Sequence, residues 1–245
     1  MSDWRPKRCV VFGASGGIGS AFVSHLLKDD NVDRVYGFSR SSYSGASSEK
    51  LIEERFDYID PMSIERAAEL VQHEGPVDLV IVATGLLHAD DGFGPEKSLR
   101  QLDSDQLARA YLVNAIGPML VAKSFLPLLH KEERSVFAAL SARVGSISDN
   151  RIGGWYGYRA AKAGLNQMLR TASIEHARRW PQSVVVGLHP GTVDSSLSRP
   201  FQKNVAPGKL FTATDAAADM FNVLMGLSPS DTGKVFAYDG SEVPA

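Results

Sequence analysis

Short runs of apolar, largely β-branched residues alternate along this chain with longer stretches whose apolar residues recur every three or four positions. Residues 9–12 (CVVF) read as a strand buried on both faces, and Ile18, Phe22, Leu26 and Leu27 then repeat at helical spacing. A second strand is predicted at 34–38 and a third at 55–58. Asp60-Pro61 opens a helix carrying Ile64, Ala67, Ala68 and Val71: aspartate accepts bonds from the free N–H groups of a first turn, and proline there gives up no needed donor. Residues 78–83 (DLVIVA) are apolar after the first, as suits a parallel strand covered on both sides. A long helical region with Leu107, Tyr111, Ala115, Leu120 and Leu126 follows, then a strand at 135–140, a helix at 156–178 and a strand at 183–188. Thr212-x-x-Asp215 resembles a capping box ahead of Met220, Phe221 and Leu224, and 233–238 supplies a last strand. About seven strands alternating with about six helices predict βαβ units. The expected architecture is α/β, a doubly wound, mainly parallel seven-stranded sheet with helices on both faces. No repeat of fixed period is visible, and the serine-rich stretch 39–48 is too short for a linker, so a single domain over 1–245 is expected.

Composition narrows the classes of function. The apolar share of 44% supports a packed core and excludes a wholly disordered chain. With 26 Lys+Arg against 28 Asp+Glu the net charge is −2, which gives no electrostatic footprint for nucleic acid or an anionic membrane. The single cysteine, Cys9, makes no intrachain disulfide, and His25, His73, His88, His130, His176 and His189 show no metal-ligand spacing. No metal is expected. The most apolar stretch, 111–130, is broken by Asn114, Gly117, Pro118, Lys123 and Pro127, whereas a bilayer demands about 20 uninterrupted apolar residues. Arg5, Lys7 and Arg8 precede only the short run 9–12, far less than an export signal needs, so a cytoplasmic location is expected.

The first strand runs directly into Gly13-Ala14-Ser15-Gly16-Gly17-Ile18-Gly19, and a helix begins at once. Such a loop turns tightly and sets backbone N–H groups against a phosphate at the positive helix terminus. A glycine-rich turn can also do no more than join a strand to a helix. At the first βα turn of a parallel sheet, however, it points to a Rossmann-type dinucleotide site. The second strand then ends in Ser39-Arg40 where NAD-binding sites usually place an acidic residue. A guanidinium there, with no carboxylate to repel a 2′-phosphate, favours NADP; an arginine simply solvated in a loop is the alternative.

Tyr158 and Lys162 stand four apart at the start of a predicted helix and therefore share one face. A phenol titrates near about 10, so a tyrosine working as acid or base at neutral pH needs its anion stabilised, which an adjacent ammonium does. Alone, a Tyr and a Lys at this spacing are usually structural. In company they mean more. The glycine loop, Asn114 in Val113-Asn114-Ala115, Ser141 after the fifth strand, Tyr-x-x-x-Lys and Pro190-Gly191 after the sixth strand follow the order of motifs in the short-chain dehydrogenase/reductases, which the chain resembles over almost its whole length. The segments 141–147, 153–158 and 189–193 look most like the branch containing C-factor and sniffer-type carbonyl reductases.

That resemblance implies an NADP(H)-dependent oxidoreductase acting on a small-molecule carbonyl or alcohol. Tyr158 would donate a proton to the carbonyl oxygen or take one from an alcohol. Lys162 would lower the tyrosine pKa and hold the nicotinamide ribose, Asn114 would hold a water leading from Lys162 to solvent, and Ser141 would orient the substrate oxygen. Gly13, Ser15, Gly17, Ile18, Gly19, Ser39 and Arg40 would cradle the phosphates and adenosine ribose. Asp57 would meet the adenine edge, Ala83 and Gly85 would line the cofactor path, and Pro190, Val193 and Ser195 would fix the nicotinamide. Residues 199–208 lie where the family carries a substrate lid. Trp155 and Tyr156 could line the cleft or pack in the core. Many relatives pair through the helices that include the one bearing Tyr158, which makes a homo-oligomer an option. Two positions differ from the family pattern: its Asn-Asn-Ala-Gly is here Val82-Ala83-Thr84-Gly85, and its Ser-x-x-Gly, aligned on Gly145, has Ala142 at the serine. A bulge at the strand end is the expected device for turning Ser141 toward Tyr158. The alternative to an enzyme is a dinucleotide-binding signalling or sensor protein with little or no turnover.

Overall fold

The computed structural model describes residues 4–245. Its main strands are β1 (Arg8–Phe12), β2 (Arg34–Ser39), β3 (Leu51–Arg55), β4 (Leu79–Val82), β5 (Ser135–Leu140), β6 (Ser183–His189) and β9 (Val235–Ala237). These seven form one sheet in the order β3-β2-β1-β4-β5-β6-β9, with every neighbouring pair parallel. The strands β7 (Thr192–Val193) and β8 (Leu210–Phe211) pair separately beside it. Helices α1 (Gly17–Leu27) and α6 (Ala213–Gly226) cover one face; α2 (Pro61–Gln72), α4 (Gly117–Phe125) and α5 (Tyr156–Ala177) cover the other.

Strand alternation divides the core into two layers. Cys9, Val11, Ile81, Val136 and Val186 pack under Phe22, Leu26, Met220 and Leu224. Val10, Phe12, Val80, Phe137 and Val185 pack under Ile64, Val121, Phe125, Leu165 and Leu169. Both faces of the central strands are therefore dry, which is why these strands read as unbroken apolar runs. In the second layer the Phe12 ring lies 5.0 Å from Phe38, 4.9 Å from Phe56 and 5.0 Å from Phe125. That aromatic knot anchors the segment 56–59, which forms one wall of the cleft described below.

The third strand is not at 55–58 but at Leu51–Arg55. As the edge of the sheet it carries half-buried Leu51 and Ile52 followed by exposed Glu53, Glu54 and Arg55, a polar pattern with little apolar signal. Phe56 and Tyr58, which supply that signal, have already left the sheet and turn their rings inward. The other strands and α5 fall within a few residues of expectation. At α6 the Thr212 hydroxyl accepts the Asp215 N–H at 3.0 Å and donates to the Asp215 carboxylate at 2.7 Å, so the cap closes through side chains.

The long helical region is three pieces: α3 (Ser104–Tyr111), a π-helical turn (Leu112–Ile116) and α4. Among the described residues, Ser104–Leu128 is the stretch long and apolar enough to span a bilayer by length and composition. Here it buries Ala115, Val121, Ala122 and Phe125 in the second core layer. The π turn falls on Asn114; such turns widen a helix by one residue and concentrate at functional sites.

Candidate active site

The chain runs from β1 outward to β2 and β3, then crosses back to place β4 on the other side of β1. At that reversal the loops leaving β1 and β4 diverge and open a crevice, the usual ligand site of such sheets. Gly13, Ser15, Ser39, Arg40, Asp57, Ala83 and Gly85 all line a cleft of about 340 Å³ there. Gly13 and Ala14 donate backbone bonds to Phe38 O at 2.7 and 3.2 Å, which ties the glycine loop to the end of β2. Gly13 has φ +83 and lies against the Ala83–Thr84 backbone, so a side chain would be both strained and crowded. At Gly19 a Cβ would stand 2.0 Å from Gly13 O. The start of α1 can approach the loop this closely only as glycine, and Gly16 caps it without a side chain. The N–H groups of that first turn are left to an external anion.

Ser39 is buried and donates to Ser41 O at 2.5 Å, while Ser41 reaches Ser15 Oγ at 3.0 Å. Arg40 is exposed at the cleft and has no ion pair among the described residues. The Asp57 carboxylate accepts Ile59 N–H at 3.3 Å. Tyr58 and Thr84 share a hydroxyl bond of 2.7 Å, and burial pushes the Tyr58 phenol far above its ordinary range.

Tyr158 sits in the first turn of α5 at the wall of a second cavity of about 220 Å³, which also takes in Ile18, Pro190, Val193 and Ser195. The Cβ of Ser195 would touch a side chain at Gly17 at 3.3 Å, so this cavity's wall abuts the start of α1 next to the glycine loop. The Tyr158 hydroxyl bonds to none of the described residues, and burial pushes its pKa up to about 12. Lys162, one turn on, is buried with Nζ 5.8 Å from the centre of the Tyr158 ring and donates to Leu140 O at 2.7 Å. Burial pulls its pKa down to about 7. Asn114 is wholly buried: Oδ1 accepts Leu86 N–H at 3.0 Å, and Nδ2 donates to Leu86 O at 2.8 Å and Ala110 O at 3.0 Å. Its side chain thereby straps the loop after β4 to the π turn.

The serine does not stand as expected. Ala142 is extended, with φ −154 and ψ 148, so no bulge interrupts the alternation at the end of β5. Ser141 therefore faces α5, where its hydroxyl donates to Asn166 Oδ1 at 2.6 Å and not to Tyr158. Ser141 and Ala142 both border the cleft, but Ala142 brings only a methyl to it. Ser146 does not replace it, since its hydroxyl accepts Asp149 N–H at 3.1 Å and contacts Ala245 O at 3.4 Å.

Other contributors carry no local signature. Glu96 is buried, its carboxylate accepts Gly157 N–H at 3.0 Å and its carbonyl accepts Trp155 N–H at 2.5 Å, so it fixes the entry to α5 from 61 residues away. Trp155 is the one non-glycine residue with positive φ (55) among those described, and it follows Gly153 and Gly154, also left-handed. This turn aims its ring at Phe201, 5.0 Å away, and Tyr158, 6.3 Å away. Phe201 belongs to the 3₁₀ segment Arg199–Asn204, so the region expected to cover the cleft does border it.

Comparison with known proteins assigns the class. The short chain dehydrogenase family model matches residues 7–206. The C-signal of Myxococcus xanthus is 35% identical over 170 residues, covering 69% of this chain and 93% of that protein. A 1-hydroxy-2-glutathionyl-2-methyl-3-butene dehydrogenase of Rhodococcus sp. is 28% identical over 235 residues, 95% of this chain and 96% of its own length. Among solved structures, an NADPH-bound carbonyl reductase from chicken fatty liver superposes with a TM-score of 0.85 at 24% identity, covering 100% of this chain and 96% of the other. The carbonyl reductase Sniffer of D. melanogaster does so with 0.84 at 18% identity, covering 98% and 99%. The chain belongs to the short chain dehydrogenase family, and it is an oxidoreductase of that family with a Rossmann-like fold.

Proposed function

We propose that this protein is an NADP(H)-dependent carbonyl reductase or alcohol dehydrogenase in which Tyr158 is the general acid/base. The observation that carries the reading is the Tyr158–Lys162 pair, set on one helix face with Tyr158 at the wall of the second cavity, its hydroxyl unclaimed, and Lys162 buried behind it. The crevice suits a dinucleotide: Gly13 and Gly19 leave a cradle that any Cβ would fill, and Arg40 offers a free guanidinium beside it. Gly13, Ser15, Gly17, Ile18 and Gly19 would hold the pyrophosphate, Ser39 and Arg40 the 2′-phosphate end, Asp57 the adenine, and Ala83, Gly85, Pro190, Val193 and Ser195 the nicotinamide half. Bound nicotinamide supplies or accepts the hydride.

The chain's own part is proton transfer and orientation. A phenol with its pKa near 12 is fully protonated at neutral pH and able to donate to a carbonyl oxygen as negative charge develops there. Lys162, buried beside it, stabilises the phenolate left behind whenever its ammonium is charged, which is the case below about pH 7 in the free protein. Trp155 and Phe201 form an aromatic wall that would shield the reacting oxygen from water.

A second reading, a dinucleotide-binding signalling protein with little turnover, is favoured by Ala142 at the family's serine position and by the likeness to C-signal. NADPH oxidation against a panel of aldehydes, ketones and quinones separates the two. Turnover of at least one carbonyl is expected, and Tyr158→Phe should lower kcat by about 10²–10⁴-fold with NADPH affinity nearly intact. A phenylalanine variant that keeps more than a tenth of wild-type kcat rules Tyr158 out as the acid. NADPH binding without turnover anywhere on the panel decides for the signalling reading.

A further inference from the structure

The family's serine position in this cavity is an alanine and the neighbouring Ser141 hydroxyl is spent on Asn166, yet the cavity also contains a side chain whose polar capacity is unspent. Position 142 is alanine, Ser141 is held by Asn166, and Ser146 is held by Asp149 and the C-terminal segment. Ser198 donates to Val193 O at 2.5 Å. His88 is occupied as well, with Nε2 2.9 Å from Ser196 O and its ring against Phe201. His189 is not. It ends β6 in the register position next to Leu188, whose carbonyl accepts the Ser141 N–H at 2.7 Å, so it lies beside the end of β5. Its own backbone is pinned by the Tyr238 N–H at 2.9 Å. The side chain borders the same cavity as Ala142, Trp155 and Tyr158. Its Nδ1 is buried with no hydrogen-bond partner, and Nε2 bonds to none of the described residues. Folded proteins leave few buried polar atoms unsatisfied, and those that remain call for a partner.

We infer that His189 makes the hydrogen bond to the substrate's carbonyl oxygen that Ala142 cannot make, and so orients that oxygen toward the Tyr158 phenol. The inference rests on reading this cavity as a carbonyl-binding site. Three features suit the imidazole to the task. It is neutral at physiological pH, because burial foremost, and then Arg143, pull its pKa down to about 4, so it holds one N–H donor without bringing a net charge into an apolar cleft. It ends a strand and is paired in register with Ala237 of β9, which fixes its backbone before any ligand arrives. Ala142, which borders the same cavity, offers no side-chain donor that would compete with it.

The test compares His189→Ala, His189→Gln, Ala142→Ser and the His189→Ala/Ala142→Ser double variant, using NADPH and the best carbonyl of the panel. Loss of a preorganised donor to a developing oxyanion costs about 10²–10³-fold. His189→Ala should therefore lower kcat/KM for the carbonyl by that factor, with NADPH affinity unchanged within about twofold. Glutamine should recover at least tenfold of it, and Ala142→Ser should restore at least tenfold in the alanine background, which a loss of packing would not allow. A His189→Ala variant within threefold of wild type overturns the inference. So does a loss that serine at 142 does not relieve, or one matched by an equal loss of NADPH affinity.

A second measurement covers variants that fail to fold and a wild type that turns nothing over. The ¹⁵N-histidine spectrum of the wild type with NADP⁺ is followed as acetophenone is added, with the His189 resonances identified by their absence in His189→Gln. A shift of the His189 ring N–H is expected. If the shift occurs without turnover, the reductase reading fails and the contact stands. If turnover occurs while the His189 ring stays unmoved up to the solubility limit of the ketone, the contact fails and the reductase reading stands.

Discussion

Arg40 stands exposed at the end of β2, beside a glycine loop that Ser41 and Ser15 tie to it, and no carboxylate among the described residues pairs with it. A charge-assisted bond to a 2′-phosphate is worth about 1.5–3 kcal/mol, or roughly 10- to 150-fold in affinity. Arg40→Ala should weaken NADPH binding by about that factor and leave NADH almost unchanged, as fluorescence titration of both cofactors would show. An equal loss for both would mean that Arg40 supports the loop and does not read the phosphate. Tyr158 and Lys162 show what burial does to two groups of opposite charge type. Each is pushed toward its neutral form, the phenol up to about 12 and the ammonium down to about 7. A phenol held neutral in this way is what the proposed proton donor requires.

On the proposed reading, the junction of β1 with α1 is the element on which cofactor binding would depend. Gly19 presses against Gly13 O so closely that a methyl group would stand 2.0 Å from that oxygen, and both partners are backbone. Gly19→Ala must push the helix away from the loop and spoil the cradle. NADPH affinity should fall at least tenfold, and thermal unfolding should move down by several degrees. An alanine variant that binds NADPH as the wild type does would show that this turn is not the phosphate site. The entry to α5 works differently. Gly153, Gly154 and Trp155 all adopt left-handed backbone, which costs a residue with a side chain about 1–2 kcal/mol. The bonds from Glu96 to Trp155 and Gly157 hold the turn in place, and Trp155 gains its contact with Phe201.

At the scale of the whole molecule, buried histidines contribute to the response to acid. His176 stacks on Trp180 with ring centres 4.6 Å apart, its Nε2 is buried without a partner, and burial lowers its pKa to about 4. The unfolded chain protonates this histidine near its ordinary value of about 6.5, while the folded chain does not until about pH 4. Between those values the unfolded state binds the extra proton, so stability is full above about pH 6.5 and declines as the pH falls toward 4. His189 acts in the same sense. His176→Phe keeps the stacked ring and removes the titration, so it should lose about 1–3 kcal/mol less than the wild type between pH 7 and 4.5. Urea unfolding at the two pH values measures this directly. An unchanged difference between them would mean that His176 is not the group being protonated.

Periodicity, glycine placement and motif order were enough to determine the doubly wound sheet, the loop at the first βα turn and the pairing of Tyr158 with Lys162. These are local properties: strands dry on both faces need continuous apolar runs, a tight loop needs glycine, and i, i+4 residues share a helix face whatever surrounds them. The edge strand at Leu51–Arg55 escaped because an edge needs no apolar run, and the rings of Phe56 and Tyr58 drew the signal downstream. The bonding of Ser141 was visible only in three dimensions. Both Ser141 and Ala142 border the cleft, but the backbone at the end of β5 is extended and the Ser141 hydroxyl bonds Asn166, a partner that no local pattern announces. Glu96, Asn166 and His189 reach the site from distant stretches of chain, and their chemistry follows from the neighbours that folding brings to them and, at His189, from the neighbour it leaves out.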